Sequence, residues 1–349
     1  MNYKPIMTIL CSFIIVCCTK KQVIMDIHEN GGDSLSPQLV ENIELWCSDE
    51  MTICDSTLVI IDGCQEKKLY FFQLKDFSLL KNIGNTGNGP EDFLYPFFLF
   101  NNNSLLNELS LYDVNLAKIK TIKMNYLLND SSHCISTNRA IPSCLIGSPD
   151  MAQIDNTYYG SKDLGLGMFF TYSSKDKMEK WVPYPPSVSN NKEEIRLNIN
   201  QSRITVNHKK KLIVAATRFY NQLFLYNSNG ELLRSGTFGK KINPEMENKK
   251  ISTSSDIFFT HLYSTDKYIY VVMTDEKYRD NRLPSQRYSK IAIFDWNLNH
   301  IKTLYSNKHI YSVVVDTIYN RLLLLCMNDD REPELYYDDY DESKLLETI

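Results

Sequence analysis

Leu58-Val59-Ile60-Ile61, followed by Leu69-Tyr70-Phe71-Phe72, is the first copy of a strand pair that returns along the whole chain. The leading strand reappears at Leu109-Ser110-Leu111-Tyr112, Thr157-Tyr158-Tyr159-Gly160, Leu212-Ile213-Val214-Ala215, Tyr268-Ile269-Tyr270-Val271 and Leu322-Leu323-Leu324-Leu325, at intervals of 51, 48, 55, 56 and 54 residues. Most copies also carry the aromatic second strand: Met168-Phe169-Phe170, Leu223-Phe224-Leu225-Tyr226, Ile291-Ala292-Ile293-Phe294 and Leu335-Tyr336-Tyr337. A regular period of this size means one supersecondary unit per repeat, and a unit of four short strands is a propeller blade. Six copies predict an all-β, six-bladed β-propeller over residues 38–349.

Composition supports strands and a packed core. The 349 residues are 43% hydrophobic, and Tyr (22) and Phe (16) both outnumber Gly (13). Aromatic side chains suit the pleated, half-buried surface of a sheet. The net charge is −4 and the basic residues are dispersed, so the clustered basic face of a nucleic-acid binder is missing. The short runs Lys209-Lys210-Lys211 and Lys249-Lys250 read as solvated turns.

The first eighteen residues read as an export signal, with Lys4 ahead of an apolar stretch from Ile6 to Val16. That stretch is too short for a membrane span, which needs about twenty residues. Its end, Ile14-Ile15-Val16-Cys17-Cys18, resembles the lipobox of bacterial lipoproteins. The resemblance implies a signal peptide over 1–17 and acylation of Cys18, with Ile15 three residues before it. Cys17, served by Ile14, is the alternative. Acyl chains would anchor the chain to a membrane, each buried methylene contributing about 0.8 kcal/mol. The expected address is the bacterial cell envelope, at the outer membrane facing the periplasm. Residues 18–37 would then be a tether.

Six further cysteines follow: Cys47, Cys54, Cys64, Cys134, Cys144 and Cys326. In an oxidising compartment six thiols allow fifteen pairings. Two local bridges are expected, one among Cys47, Cys54 and Cys64, the other between Cys134 and Cys144. No CxxC or HExxH spacing occurs and the six histidines are scattered, so neither a structural metal nor a cofactor is expected.

Within blade one, Ile43–Cys47 reads as the innermost strand. The blade ends in Gly84-Asn85-Thr86-Gly87-Asn88-Gly89-Pro90-Glu91-Asp92-Phe93-Leu94-Tyr95-Pro96. The pattern G-x-x-G-x-G-P-x-x-F-x-x-P is similar to the blade-to-blade linker of TolB-like and NHL-like six-bladed propellers, especially those on bacterial lipoproteins. The resemblance covers the chain by repeat and this linker by motif. Gly84, Gly87 and Gly89 would permit positive φ in a tight crossing, Pro90 and Pro96 would stiffen it, and Phe93 would plug the gap between blades. A phosphate loop is excluded, because no GK[ST] occurs and no helix opens after the glycines. Ring closure should mix the termini, since a free edge strand exposes backbone groups. Gln22–His28 is one candidate closing strand and Lys344–Thr348 the other.

No catalytic set emerges. The acids Asp62, Asp113, Asp275 and Asp316 stand at strand ends and read as acceptors for turns, and no GxSxG elbow is present. The best candidate contact surface is the insertion Asp275–Ser289 in blade five, with Tyr278, Arg279, Arg282, Arg287 and Tyr288. Tyr and Arg are enriched in binding hot spots. Loops between second and third strands share one face with the linkers, so the insertion, the Gly84–Pro96 linker and the Asn190–Gln201 stretch should form one rim. The leading expectation is a noncatalytic binding or assembly module for protein, peptide or glycan, anchored to the membrane by lipid. The alternative is a metal-dependent hydrolase or lyase working through the central channel, which the resemblance implies because some six-bladed relatives are such enzymes. The acidic tail from Asp329 to Glu342 reads as a solvated edge.

Overall fold

The computed structural model describes residues 25–100, 107–129, 134–148, 150–162, 166–184, 201–239, 252 and 255–348. The signal segment, Cys17, Cys18 and residues 190–200 lie outside them. Three short strands come first: β1 (Met25–Ile27), β2 (Gly32–Ser34) and β3 (Gln38–Leu39). Blade one follows as β4 (Ser48–Cys54), β5 (Thr57–Asp62), β6 (Lys67–Gln73) and β7 (Leu79–Asn85). Blade two is β8 (Pro96–Phe100), β9 (Glu108–Asp113), β10 (Lys118–Lys123) and β11 (Ile135–Ala140). Blade three is β12 (Met151–Ile154), β13 (Thr157–Gly160), β14 (Phe169–Ser173) and β15 (Met178–Val182). Blade four is β16 (Ser202–Asn207), β17 (Leu212–Thr217), β18 (Gln222–Asn227) and β19 (Leu232–Phe238). Blade five is β20 (Phe259–Ser264), β21 (Tyr268–Thr274), β22 (Ser289–Asp295) and β23 (His300–Ser306). Blade six has β24 (His309–Asp316), β25 (Arg321–Met327) and β26 (Pro333–Asp339), completed by β3.

Each leading strand of the repeat is the second strand of its blade, and its composition follows from its place. A second strand is covered on both faces by neighbouring blades, so it reads as a continuous apolar run. All of β5 and β21 are buried. Adjacent blades meet through six apolar clusters among the described residues, one at each blade–blade contact. Phe93 is wholly buried in the cluster between blades one and two, as the linker pattern predicts. Of the linker glycines only Gly84 takes a positive φ, +82°, where the Phe93 ring crosses its α-carbon and leaves no room for a Cβ. Gly87 and Gly89 serve differently: the Asp92 carboxylate folds back over both and accepts the Gly89 N–H at 2.9 Å. Pro96 opens β8, and Pro90 is exposed.

A second set of contacts closes the ring around the axis. Blades two and three share parallel pairing of β8 with β12. Elsewhere side chains bridge the inner strands. Glu50 accepts the Phe98 N–H at 3.0 Å (blade one to two), Asp150 accepts the Ile204 N–H at 3.3 Å (three to four), and Thr205 meets Ser264 at 2.7 Å (four to five). His261 and Tyr263 hydrogen-bond to the backbone of Val313 and Val315 (five to six). The Tyr311 hydroxyl donates to the Ser48 carbonyl at 2.6 Å (six to one).

Two sequence expectations need correcting. The inner strand of blade one is β4, not Ile43–Cys47. That earlier segment crosses the end of the blade, where the Asp62 carboxylate accepts the Trp46 and Cys47 N–H groups and a Cys47–Cys64 disulfide holds it. Nor does Gln22–His28 or Lys344–Thr348 close the ring. Blade six is completed by β3, antiparallel to β26 through Tyr336↔Leu39 and Tyr337↔Gln38. Within the first candidate, β1 runs parallel to β19 as a fifth strand on blade four; beyond it, β2 runs parallel to β23 on blade five. The second candidate lies in a 3-10 helix, Glu342–Thr348. The N-terminal segment is thus a strap across the outer edges of three successive blades. Of the two expected local bridges, Cys47–Cys64 is present; Cys134 is a buried free thiol, as are Cys54 and Cys326, and the Cys144 side chain lies outside the described residues.

The strap is packed as well as paired. Ile27 is buried in the core between blades four and five, and a Cβ on Gly32 would fall 2.0 Å from the Thr303 carbonyl oxygen. Ile27→Ala should cost about 2–4 kcal/mol by loss of buried surface and a residual cavity. Urea denaturation reads this directly, and an unchanged midpoint would mean the strap adds nothing to the fold.

Candidate functional site

The insertion between β21 and β22 is braced from inside by two of its arginines. Arg282 donates to both carboxylate oxygens of Asp280, with Nη2 at 2.7 Å from Oδ2, and its Nη1 lies 2.8 Å from Asp275 Oδ2. Those hydrogen bonds hold the Asp280 carboxyl well below the usual carboxylate range. Arg287 is nearly buried; it reaches Glu276 at 3.2 Å and the carbonyls of Asp280 and Arg282 at 3.1 and 2.8 Å. Glu276 also meets His309 Nε2 of blade six at 2.9 Å. A carboxylate only accepts, so this ring nitrogen carries its proton toward Glu276.

Neighbouring blades hold the loop from both sides. The Tyr278 N–H donates to Ser255 at 2.8 Å, its ring meets Phe219 of blade four edge-on at 5.6 Å, and Lys277 pairs with Asp256. On the other flank, Ser285 donates from N and Oγ to Asp329 of blade six at 2.8 and 2.7 Å. These partners lie in the four-to-five linker and in loops between second and third strands, so the insertion sits on the linker rim. What the brace presents outward is Tyr278 (45% exposed), Leu283 (48%), Tyr288 (65%) and the exposed Arg279. Beside Tyr288 opens a cleft of about 450 Å³ lined by Lys308, His309, Asn328, Asp329 and Glu334. The five residues singled out from sequence therefore divide: Tyr278, Arg279 and Tyr288 face solvent, while Arg282 and Arg287 are struts. The Gly84–Pro96 linker makes its contacts between blades one and two.

The strand-end acids act as the sequence implies. Asp62 and Asp113 are wholly buried, and each takes several hydrogen bonds from the chain crossing its strand end; for Asp113 the donors are the N–H groups of Leu94, Tyr95, Asn115 and Leu116 at 2.6–3.1 Å. Asp316 pairs with Arg321 at 2.8 Å while the guanidinium lies over Phe77 of blade one. Asp275 closes the insertion by accepting the Tyr288 N–H.

Sequence reasoning missed the polar lining of the axis. Glu50, Asp150, Arg203 and His261 come from inner strands or the residues just before them, and their only signal was a polar side chain interrupting a short strand ahead of each apolar repeat. Burial pushes the Glu50 carboxyl up to about 8; the Asp150 and Asp49 charges add to this, against the Phe98 hydrogen bond and Arg203. Burial also drives His261 down to about 4, helped by Arg203. At the strand-turn end the channel widens into a cavity of about 760 Å³ with Asp55, Glu108, His208, Asp266 and Glu342 in its wall. Among the described residues no group of three or more His, Cys, Asp or Glu side chains is placed to hold a metal ion.

The repeat, the closed ring and the linker geometry together define a family. A family model described as TolB-like 6-blade propeller-like matches residues 49–317. This chain belongs to the TolB-like propellers. Among solved structures, the TolB-like chain is similar to a Bacteroides fragilis protein described as exported, at 12% identity and a TM-score of 0.57, over 90% of this chain and 99% of that one. It is similar also to a DUF4221 family member from Bacteroides vulgatus, at 12% identity and a TM-score of 0.58, over 88% and 98% of the two chains. Regucalcin from Agrobacterium tumefaciens, a calcium-binding protein, aligns at 7% identity and a TM-score of 0.50, over 89% and 96%. At these identities the likeness is one of fold. No curated protein matches the sequence.

Two predictions separate structural acids from titrating ones. Asp113→Ala should lower stability by at least about 3 kcal/mol, because several N–H groups lose their acceptor; a loss below about 1 kcal/mol in urea would remove its structural role. Glu50 keeps a proton in the folded chain that the unfolded chain releases above its ordinary value of 4.5. Its contribution is therefore lost as pH rises toward 8. His261 and His300, both lowered to about 4, work in the opposite sense below 6.5. Between about pH 6.5 and 8 the wild-type melting temperature should fall, and Glu50→Gln should flatten that fall; an equal slope in both proteins places the titration elsewhere.

Proposed function

We propose that this propeller is a lipid-anchored, noncatalytic binding or assembly module of the bacterial cell envelope, at the outer membrane facing the periplasm, and that it contacts protein, peptide or glycan through the blade-five insertion. The observation that carries the reading is the internal brace. Arg282 and Arg287 spend their hydrogen bonds on the loop itself, so Tyr278, Arg279, Leu283 and Tyr288 are displayed on a loop already tied to blades four and six. Ordering such a loop in advance spares a partner the entropy of doing so, which raises affinity. Large, stiff aromatic groups beside an arginine suit the centre of a contact surface.

The address rests on other features. Lys4, the apolar stretch and the Ile15–Cys18 pattern support export and acylation at Cys18. The disulfide Cys47–Cys64 suits an oxidising compartment. One of the Bacteroides proteins of the same fold is described as exported.

The test is capture from detergent-solubilised envelope by the chain beginning at Thr19, compared with the triple variant Tyr278→Ala, Arg279→Ala, Tyr288→Ala. The Arg279 and Tyr288 side chains take no part in the brace and Tyr278 gives up its edge-on contact with Phe219, worth about 1 kcal/mol, so the variant should stay folded with a small drop in melting temperature. Retained partner should fall at least about tenfold, the scale of a hot-spot loss. Equal capture by both chains would move the contact surface off this rim.

A further inference from the structure

The strap and the anchor are separated by very little chain, and this constrains how the molecule can sit at a membrane. From Met25 onward the chain is fixed to the ring. Besides the β1 and β2 pairings, Glu29 accepts Lys290 at 3.0 Å and the hydroxyls of Thr303 and Tyr305 at 3.0 and 3.1 Å, and the Asn30 N–H donates to His300 Nδ1 at 2.9 Å. Met25, the first described residue, lies opposite Gly236 on the outer edge of blade four. Six residues lie between Cys18 and Met25, and the seven residue-to-residue steps span at most about 25 Å.

Resting on the lipid-anchor reading above, we propose that the anchor holds the outer wall of blade four against the bilayer, so that the propeller stands on its edge with blade one farthest from the lipid. Blade four is five strands deep including β1, which at ~4.8 Å per strand makes about 19 Å from channel to wall. Crossing blade four, the channel and the four strands of blade one therefore takes on the order of 35 Å or more, beyond the tether's reach. The first half of β19, Leu232 to Ser235, precedes the residues paired with β1, and Leu233 on it is 53% exposed. Leu233 therefore marks the wall of blade four next to the start of β1. The insertion rim then projects beside the membrane, free for a partner, instead of facing into it.

The experiment uses the full lipidated chain in phosphatidylcholine–phosphatidylglycerol vesicles carrying an acceptor lipid. A donor dye is placed in turn at Leu233→Cys on blade four, Leu79→Cys on the outer edge of blade one, Ile318→Cys at the strand-turn face and Leu283→Cys on the rim, in a Cys144→Ser background. The native thiols Cys54, Cys134 and Cys326 are buried. Leu233 should lose most of its donor emission, the two faces less, and Leu79 least. Equal quenching at Leu233 and Leu79, or strongest quenching at either face, means that the ring lies flat and overturns the orientation. Lengthening the tether by about twenty Gly and Ser residues adds roughly 70 Å of contour and should erase the difference between blades four and one; a difference that survives would overturn the tether as its cause. Flotation with the vesicles reads the anchor separately. A wild-type chain that fails to float defeats the anchor reading and the orientation with it, whereas a chain that floats with even quenching defeats the orientation alone.

Discussion

Every blade of this propeller leaves one strand edge facing the axis, and the rest of the structure depends on how those edges are satisfied. An unpaired edge exposes backbone donors and acceptors, which are costly to leave without partners. The chain solves this locally at each blade contact. Parallel pairing joins β8 to β12; elsewhere Glu50, Asp150, Thr205, His261 and Tyr311 reach to the next inner strand. The six apolar clusters supply most of the burial, but they are non-directional. The axial hydrogen bonds specify how far each blade is turned against the next. Titratable groups in the channel are thus explained by closure before any chemistry is asked of them, and the raised carboxyl of Glu50 is a cost of that role.

The outer edges are managed in a different way. On blades four, five and six the strap covers them with β1, β2 and β3. Only β3 completes a four-stranded blade; β1 and β2 are additional strands laid parallel to finished ones. The same device that protects edges gives the N-terminus a fixed exit on one side of the ring. In the orientation proposed above, anchor and rim would be coupled through it, because a ring held by one wall presents its insertion sideways. The insertion itself is stiffened by multiply bonded charge pairs, and Asp280, Arg287 and Glu276 are largely buried, where such pairs contribute more than exposed ones.

Legibility in the sequence followed burial. Second and third strands were visible because they are enclosed on both faces and must be apolar, as in β5 and β21. The Gly84–Pro96 crossing was visible because positive φ at Gly84 and the buried Phe93 demand particular residues. The inner strands were nearly invisible: β4 and β20 mix polar and apolar side chains because one edge faces the channel. The blade-one assignment failed for that reason, since Ile43–Cys47 is the more apolar-looking segment while β4 is the strand. Closure failed because β3 is two exposed residues with no hydrophobic pattern.

The division at the candidate site has the same origin. Sequence marked the insertion through its unusual length and its Tyr and Arg content, and it marked the strand-end acids as turn acceptors. It could not sort Arg282 and Arg287 from Arg279, because a strut and a contact residue have the same side chain and differ only in what lies within reach. By itself the sequence determined the number of blades, the second strand of each and the linker plug, all of which follow from local periodicity and from residues with narrow conformational tolerance. Only the tertiary structure decided which segment closes the ring, where the N-terminal chain meets it and which rim side chains are free. Those outcomes depend on pairings such as Gln38 with Tyr337 and Met25 with Gly236, between residues distant in sequence whose local composition carries no record of the partner.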